Sequence, residues 1–362
     1  MNKEELQALR NKVNAALKEP SLASMIPDLE NRIINGLSSG SLLLNLAMSG
    51  NPFVGYAWGR IAEIYGPESG GKTTMALHAI RETQLIEDMT GVDLPTLFID
   101  MEHSLDLYYA EALGIDMERL TISQPGCAED ALNATEEAIK AGFKLVVVDS
   151  VAALTPRAEV EGEMGESHVG LQPRLMSQAC RKLSPLVKKN DALLIFINQI
   201  RMKIGVVFGN PETRPGGKAL DYYATYLMEI RAPRSGKKTG KSLMGYDNAP
   251  DDTQELATMV NVTLKKNKVF PPHRKASFVI EYGVGIDRVK DLIAFLEYTG
   301  AFVEPVGKTK SDKPKTPVLR MPERKKSYTA SGLAKLLQTD ELALAEVYDI
   351  VELREAERDT NS

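Results

Sequence analysis

The chain has 362 residues, 43% of them hydrophobic and 26% charged, with a net charge of −5. This excludes a disordered or low-complexity chain, and the length exceeds one ordinary domain. No run of 18 apolar residues marks a membrane helix, the negative total argues against a partner held by bulk positive charge, and two cysteines, Cys127 and Cys180, imply a reducing, cytoplasmic setting without a disulfide framework.

Residues 3–19 place Leu6, Leu9, Val13, Ala16 and Leu17 at helical spacing, closed by Pro20. The segment is charged and lacks an apolar h-region, which reads against a secretory signal. From residue 60, strands alternate with helices. RIAEIYG (60–66) leads to a helix over 72–89, and LPTLFID (94–100) to a helical stretch near 106–113. A helix over 128–142 precedes KLVVVDS (144–150), and a helix over 171–190 precedes ALLIFINQ (192–199). Continuous apolar strands between helices predict an α/β fold with a parallel sheet covered on both faces. Beyond residue 220, ATYLMEIRA, ATMVNVTLKKNK and ASFVIEYGV read as an antiparallel extension, and 232–255 as a loop. A helix over 288–300, a linker around 311–327 and two further helical stretches complete the chain.

Charge is unevenly placed. Residues 231–241 hold five cations and no anion; 303–326 hold eight Lys or Arg against three acids; 339–362 hold eight acids against two Arg. Each run fits either solvated surface or a charged partner.

GPESGGKTT, from Gly66 through Pro67, Glu68, Ser69, Gly70, Gly71, Lys72 and Thr73 to Thr74, fits G-x-x-x-x-G-K-[ST] between a strand and a helix. Backbone amides there cradle phosphate oxygens, Lys72 reaches the β- and γ-phosphates, and the Thr73 hydroxyl ligates Mg²⁺. Asp149 at a neighbouring strand end would hold the metal directly or through water. Glu102, two residues past Asp100, is the candidate base that orients the attacking water, with His103 as an alternative. Asp106 and Tyr109 follow one turn on; the tyrosine suits either a nucleobase or the core.

Gln199 ends the last buried strand, so its amide could reach the γ-phosphate. The loop behind it carries Arg201, Lys203, Arg214 and Lys218 for phosphates, Gly205, Gly209, Gly216 and Gly217 for close approach, and bare Ile204, Val206, Val207 and Phe208. Gly216 and Gly217 are expected to begin the next helix as a second anion site. Cations mixed with apolar wedges suit single-stranded nucleic acid. A loop burying its hydrophobes against another subunit has the same composition.

GPESGGKTT, IDMEHSLD, the run from VVVDSVAALTPRAEVEGEMG to LMSQACRKL, and above all LLIFINQIRMKIGVVFGNPETRPGGKAL resemble the bacterial RecA recombinase family across most of residues 36 to 230. The resemblance implies a RecA-type P-loop ATPase core with a mostly parallel sheet at 36–287. An N-terminal helix and oligomerisation segment would occupy 1–35, and a small C-terminal α/β domain with an acidic tail 288–362. It implies an ATP- and Mg²⁺-dependent recombinase that forms a helical filament on single-stranded DNA, pairs it with double-stranded DNA at a secondary site, and exchanges strands. Loader proteins and a repressor are the candidate further partners, and no membrane is involved.

By the same resemblance Glu102 is the catalytic carboxylate, Gln199 the γ-phosphate sensor, and Asp106 and Tyr109 adenine contacts. Lys266 and Lys268 reach the neighbouring protomer's ATP. The loops at 159–169 and 200–214 meet DNA, with Val169 and Ile204 as wedges and Arg174, Arg181, Arg201, Gly216 and Gly217 at phosphates. Pro173, Pro185 and Pro215 depart from the family pattern, and 232–255 is longer than its usual connection. A closed-ring motor and an ATP-regulated scaffold are the competing functions for such a core.

Overall fold

The computed structural model describes residues 36–166, 168–203, 209, 211–232, 237–241, 253–302, 317–321, 324 and 326–360. The expected helix at 3–19 and the wedge Ile204 lie outside them.

The strands of the central sheet are β1 (Arg60–Gly66), β2 (Thr96–Asp100), β3 (Leu120–Ser123), β4 (Leu145–Asp149), β5 (Leu193–Gln199), β6 (Tyr226–Arg231), β7 (Lys237–Lys241), β8 (Thr253–Asn267), β9 (Lys275–Glu281) and β10 (Gly285–Ile286). Their order is β10-β9-β8-β6-β1-β5-β4-β2-β3, with β7 on β8. From β6 to β3 neighbouring strands are parallel; β6–β8, β7–β8, β8–β9 and β9–β10 are antiparallel. The helices are α1 (Leu42–Ser49), α2 (Lys72–Thr90), α3 (Leu107–Ala112), α4 (Ala128–Lys140), α5 (Arg157–Glu161), α6 (Leu171–Lys189), α7 (Ala219–Tyr223), α8 (Arg288–Tyr298), α9 (Ala330–Leu337) and α10 (Glu341–Thr360).

Strand alternation sorts the core into two layers. Leu193, Ile195 and Ile197 of β5 join a cluster with Met75, Leu77 and Ile80 of α2. Leu194 and Phe196 join the opposite cluster with Ala131 and Leu132 of α4 and Ala179 and Leu183 of α6. Each of these Leu, Ile, Met and Phe side chains contributes about 1.5–3 kcal/mol on burial, so these layers set the strand register. Pro185 lies inside α6.

Two stretches differ from expectation. Residues 237–241 were expected in a loop, but β7 pairs with the first part of β8, which runs on past the end of β6. The stretch around 311–327 was expected to be an exposed linker. Within it Leu319–Met321 pairs with Lys326–Tyr328. Leu319 and Met321 are buried among Leu292, Phe295, Leu333 and Val347. Their alternation with Arg320 puts both on one face, which pins the segment.

Leu42 and Leu46 of α1 enter that same C-terminal cluster. A buried polar clasp joins them. The Ser41 hydroxyl donates to Asp291 Oδ1 and the Leu42 amide to Oδ2, both at 2.6 Å. Asp291 of α8 thus satisfies the first turn of α1. Burial raises its carboxyl to about 6, against the pull of those donors. The folded state then binds this proton more tightly than the unfolded chain, whose Asp titrates near ~4. Stability from this group is therefore greatest below pH ~4 and falls as pH rises to about 6. Asp291→Asn is expected to flatten that slope in denaturant melts across this range. Asp291→Ala is expected to cost about 1–3 kcal/mol below pH ~4, because two donors lose their acceptor, and less as pH rises toward about 6.

Candidate nucleotide and nucleic-acid site

The phosphate loop turns between β1 and α2. A Cβ on Gly66 would stand 2.2 Å from the Ile230 carbonyl oxygen of β6, so the exit of β1 has no room for a side chain. Gly71, the residue before α2, sits at φ +88°, which glycine adopts freely. Pro67, Glu68 and Ser69 are exposed, while Gly70 is buried. The Lys72 Nζ donates to the Pro67 carbonyl at 2.7 Å. Burial lowers its pKa, opposed by Asp149, Glu102 and Glu68.

The Thr73 hydroxyl donates to Asp149 Oδ2 at 2.7 Å. Burial, with Glu102 and Asp100 nearby, raises the Asp149 carboxyl to about 6 against the pull of Thr73 and Lys72. A hydroxyl and a carboxylate in contact are hard oxygen donors. Magnesium takes few protein ligands and fills its shell with water and phosphate oxygens, so this pair fits it. Among the described residues no group of three or more His, Cys, Asp or Glu side chains would hold a metal by itself.

A cavity of about 380 Å³ adjoins the loop, lined by residues 69–74, Tyr109, Thr258, Ile280, Tyr282 and Gly283. Tyr109 and Thr74 share a hydrogen bond through their hydroxyls at 3.1 Å. Asp106 caps α3 by accepting the Tyr109 amide at 3.0 Å, which places both predicted base contacts at one helix start. Sequence reasoning missed Tyr282 and Gly283. They follow β9 on the antiparallel side of the sheet, and only the tertiary fold brings them to the loop.

Glu102 and Gln199 meet. The Gln199 Nε2 donates to Glu102 Oε1 at 2.8 Å, and the Ser150 hydroxyl donates to the same oxygen. The turn that carries Glu102 is held by Asp100, which accepts the Ser104 and Leu105 amides at 3.3 Å each and the Gln124 amide at 3.1 Å. No role was expected for Asp100, yet it is buried and supports the candidate base.

The predicted nucleic-acid residues are more scattered. Val169 is 88% exposed, an apolar surface with a cost in water. Arg174 and Arg181 are exposed on α6, seven residues apart and so on one face. Arg201 is exposed in a short hairpin, Arg201–Met202 with Glu212–Thr213. Lys218 precedes α7. Gly216 and Gly217 do not begin that helix, which starts at Ala219. They form a left-handed turn at φ +83° and +72°, and the Gly216 amide donates to Gln172 at 3.2 Å.

Arg214 corrects a second expectation. It was counted among the loop's phosphate cations, but its side chain is only 18% exposed and pairs with buried Glu63 and with Asp221. Lys266 and Lys268 both donate to the Tyr222 carbonyl at 3.1 Å, and Lys266 also to that of Asp221, beside a Tyr222 side chain that is 70% exposed. None of the described helices is long and apolar enough to cross a membrane.

The family model described as the RecA N-terminal domain matches residues 6–287. A RecA protein of Staphylococcus carnosus is 48% identical over 267 residues, 74% of this chain and 69% of that one. One from Allochromatium vinosum is 48% identical over 278 residues, 75% of this chain and 74% of the other. A RadB recombinase crystal structure aligns with a TM-score of 0.49 and 21% identity over 70% of this chain and 99% of that one.

Gly66→Ala is expected to weaken nucleotide binding by more than about tenfold, because the methyl must displace either β6 or the phosphate loop. Titration with a fluorescent nucleotide measures it, and an unchanged circular-dichroism spectrum separates the effect from unfolding.

Proposed function

The chain belongs to the RecA family of ATP-dependent DNA recombinases, which serve homologous recombination and repair, and on that premise we propose how its residues divide the work. The nucleotide is ATP, held by residues 66–74 with its adenine against Asp106, Tyr109 and Tyr282. Lys72 leaves the Pro67 carbonyl for the β- and γ-phosphate oxygens. Thr73 and Asp149 hold Mg²⁺, which when bound offsets phosphate charge.

Glu102 orients the attacking water and accepts its proton. Its Oε1 already receives two hydrogen bonds, from Gln199 and Ser150. A γ-phosphate within reach of the Gln199 amide competes for it. Once Gln199 turns to the phosphate, Glu102 regains a lone pair for water, and the backbone leading to Arg201 shifts with it. This shared hydrogen bond carries the reading: one amide links hydrolysis to the start of the DNA loop.

Single-stranded DNA is the primary ligand, contacted by Arg174, Arg181, Arg201, Gly216, Gly217 and Lys218, with Val169 and Ile204 separating bases. Double-stranded DNA occupies a secondary site. Lys266 and Lys268 face the next protomer's ATP, so that nucleotide cements the filament and its hydrolysis loosens it. This assembly is open and heterologous, since its head-to-tail contacts do not close. The protein works in the cytoplasm, with 36–287 as its catalytic core.

The wild-type protein is expected to hydrolyse ATP faster with single-stranded DNA, and electron micrographs of the same mixture should show helical filaments. Rings, or a rate indifferent to DNA, would sink this reading. Glu102→Ala is expected to cut turnover by about 10²–10⁴-fold while DNA binding with ATP persists, measured by phosphate release and anisotropy.

A further inference from the structure

Arg214 closes the outgoing arm of the 200–214 loop, and its surroundings differ from those of a cation meant for solvent. Its guanidinium pairs at NH1 with Glu63 Oε2 and at NH2 with Asp221 Oδ1. Its Cζ lies 4.2 Å from the centre of the Tyr65 ring. Glu63 is 1% exposed. Its other oxygen accepts the Asn198 amide at 2.8 Å, and the same amide group donates to the Pro215 carbonyl at 3.1 Å. Asn198 Oδ1 in turn accepts the Gln199 backbone amide at 2.9 Å.

The incoming arm is held elsewhere. The Ile200 amide donates to the Gly66 carbonyl, the first residue of the phosphate loop, at 3.2 Å. Both arms are therefore tied to β1, three residues apart. One tie lies at the phosphate loop; the other lies where Arg214 joins buried Glu63 to partly exposed Asp221, outside the residues that line the cavity. A loop released at both ends would not convey a movement of Gln199 to its exposed residues. A loop fixed at one end must tilt.

We propose that Arg214 is a positioning residue for ATP–DNA coupling: by bridging Glu63 and Asp221 it fixes the outgoing arm of the loop, so that movement of Gln199 is delivered to Arg201 and its neighbours. A guanidinium suits the task, because its planar fork presents NH1 and NH2 to two carboxylates in one fixed geometry while its face lies over the Tyr65 ring, whereas a lysine offers a single rotatable ammonium. Arg214 places a cation between the Glu63 and Asp221 carboxyls where the chain re-enters the fold.

This inference rests on the reading of Gln199 and the loop given above, and the experiment separates the two. Full-length wild type, R214A, R214K and the double variant R214A/E63Q are compared for affinity to a labelled single-stranded oligonucleotide. Each is measured with a slowly hydrolysed ATP analogue and with ADP, and nucleotide affinity is measured in parallel. The double variant removes the unpaired buried carboxylate that R214A leaves behind, so it tests coupling without that cost to folding. In R214A and the double variant, nucleotide affinity is expected to stay within about twofold of wild type. The preference for DNA in the ATP-analogue state over the ADP state is expected to fall at least about tenfold. R214K is expected to behave like R214A.

Full discrimination in R214K, or a salt dependence in R214A lowered by about one phosphate contact, would make Arg214 an ordinary DNA cation and overturn the proposal. Nucleotide and DNA affinities falling together in both states, and still doing so in the double variant, would reduce it to a fold-stabilising residue and overturn it equally. Wild type that binds DNA alike with either nucleotide would sink the loop reading itself and this inference with it, and the wild-type arm alone reveals that case.

Discussion

The site depends on the register of four parallel strands. Gly66 of β1 lies opposite Gln199 of β5, and Asp100 of β2 opposite Asp149 of β4. With β5 between β1 and β4, the phosphate loop, the carboxylate beside Thr73 and the linking amide emerge at one sheet edge. A slip of one residue in β5 would turn Gln199 to the other face. It would also exchange Ile195 and Ile197 with Leu194 and Phe196 between the two layers of core. Those four side chains contribute about 1.5–3 kcal/mol each, so together they outweigh a single hydrogen bond to a carboxylate such as Gln199 to Glu102, worth at most about 1.5–3 kcal/mol. Core packing thus decides where the amide stands, and the hydrogen bond it makes there is weak enough to exchange for another.

Charges near that edge follow the same division. Glu63 is buried beneath Tyr65 and Arg214, and burial raises its carboxyl even against Arg214 and Asn198. Desolvation that outweighs attraction is expected of a carboxylate this enclosed. Such a cluster adds little to stability, but it fixes geometry, since either partner left alone would be an uncompensated charge. Asp100 is the neutral-donor counterpart: two backbone amides and Gln124 hold it, and it holds the turn of Glu102. Rigid groups therefore flank the Glu102–Gln199 pair that the proposed function sets in motion.

Much of this was legible in the sequence. RIAEIYG coincides with β1, and the ends of β4 and β5 fall at the predicted Asp149 and Gln199, because strands buried on both faces stay apolar to their last residues. The phosphate loop was legible for a related reason: glycine at close approaches and lysine at a helix start have few other uses together. Arg214 was misread because a cation in a loop looks solvated until its acid is found, and Glu63 lies 151 positions away. The clasp between Ser41 and Asp291 spans 250 positions and was invisible for that reason. The strand at Leu319–Met321 is too short for its alternation to stand out among lysines and prolines. Local pattern yields elements; pairings across the chain need the fold.

Weak contacts suit the proposed switching in a filament. A coupling of about 1–3 kcal/mol per protomer changes affinity roughly 5–150-fold, which is modest for a machine that must grip and release a polymer. In a filament each protomer holds the same strand, so its neighbours present DNA at high effective concentration and small differences accumulate along the array. Strong contacts at each protomer would then be a hindrance, because release would require breaking them all. On the proposed reading, one exchangeable amide over a rigid core, repeated along DNA, would give large changes in grip while each step stays reversible.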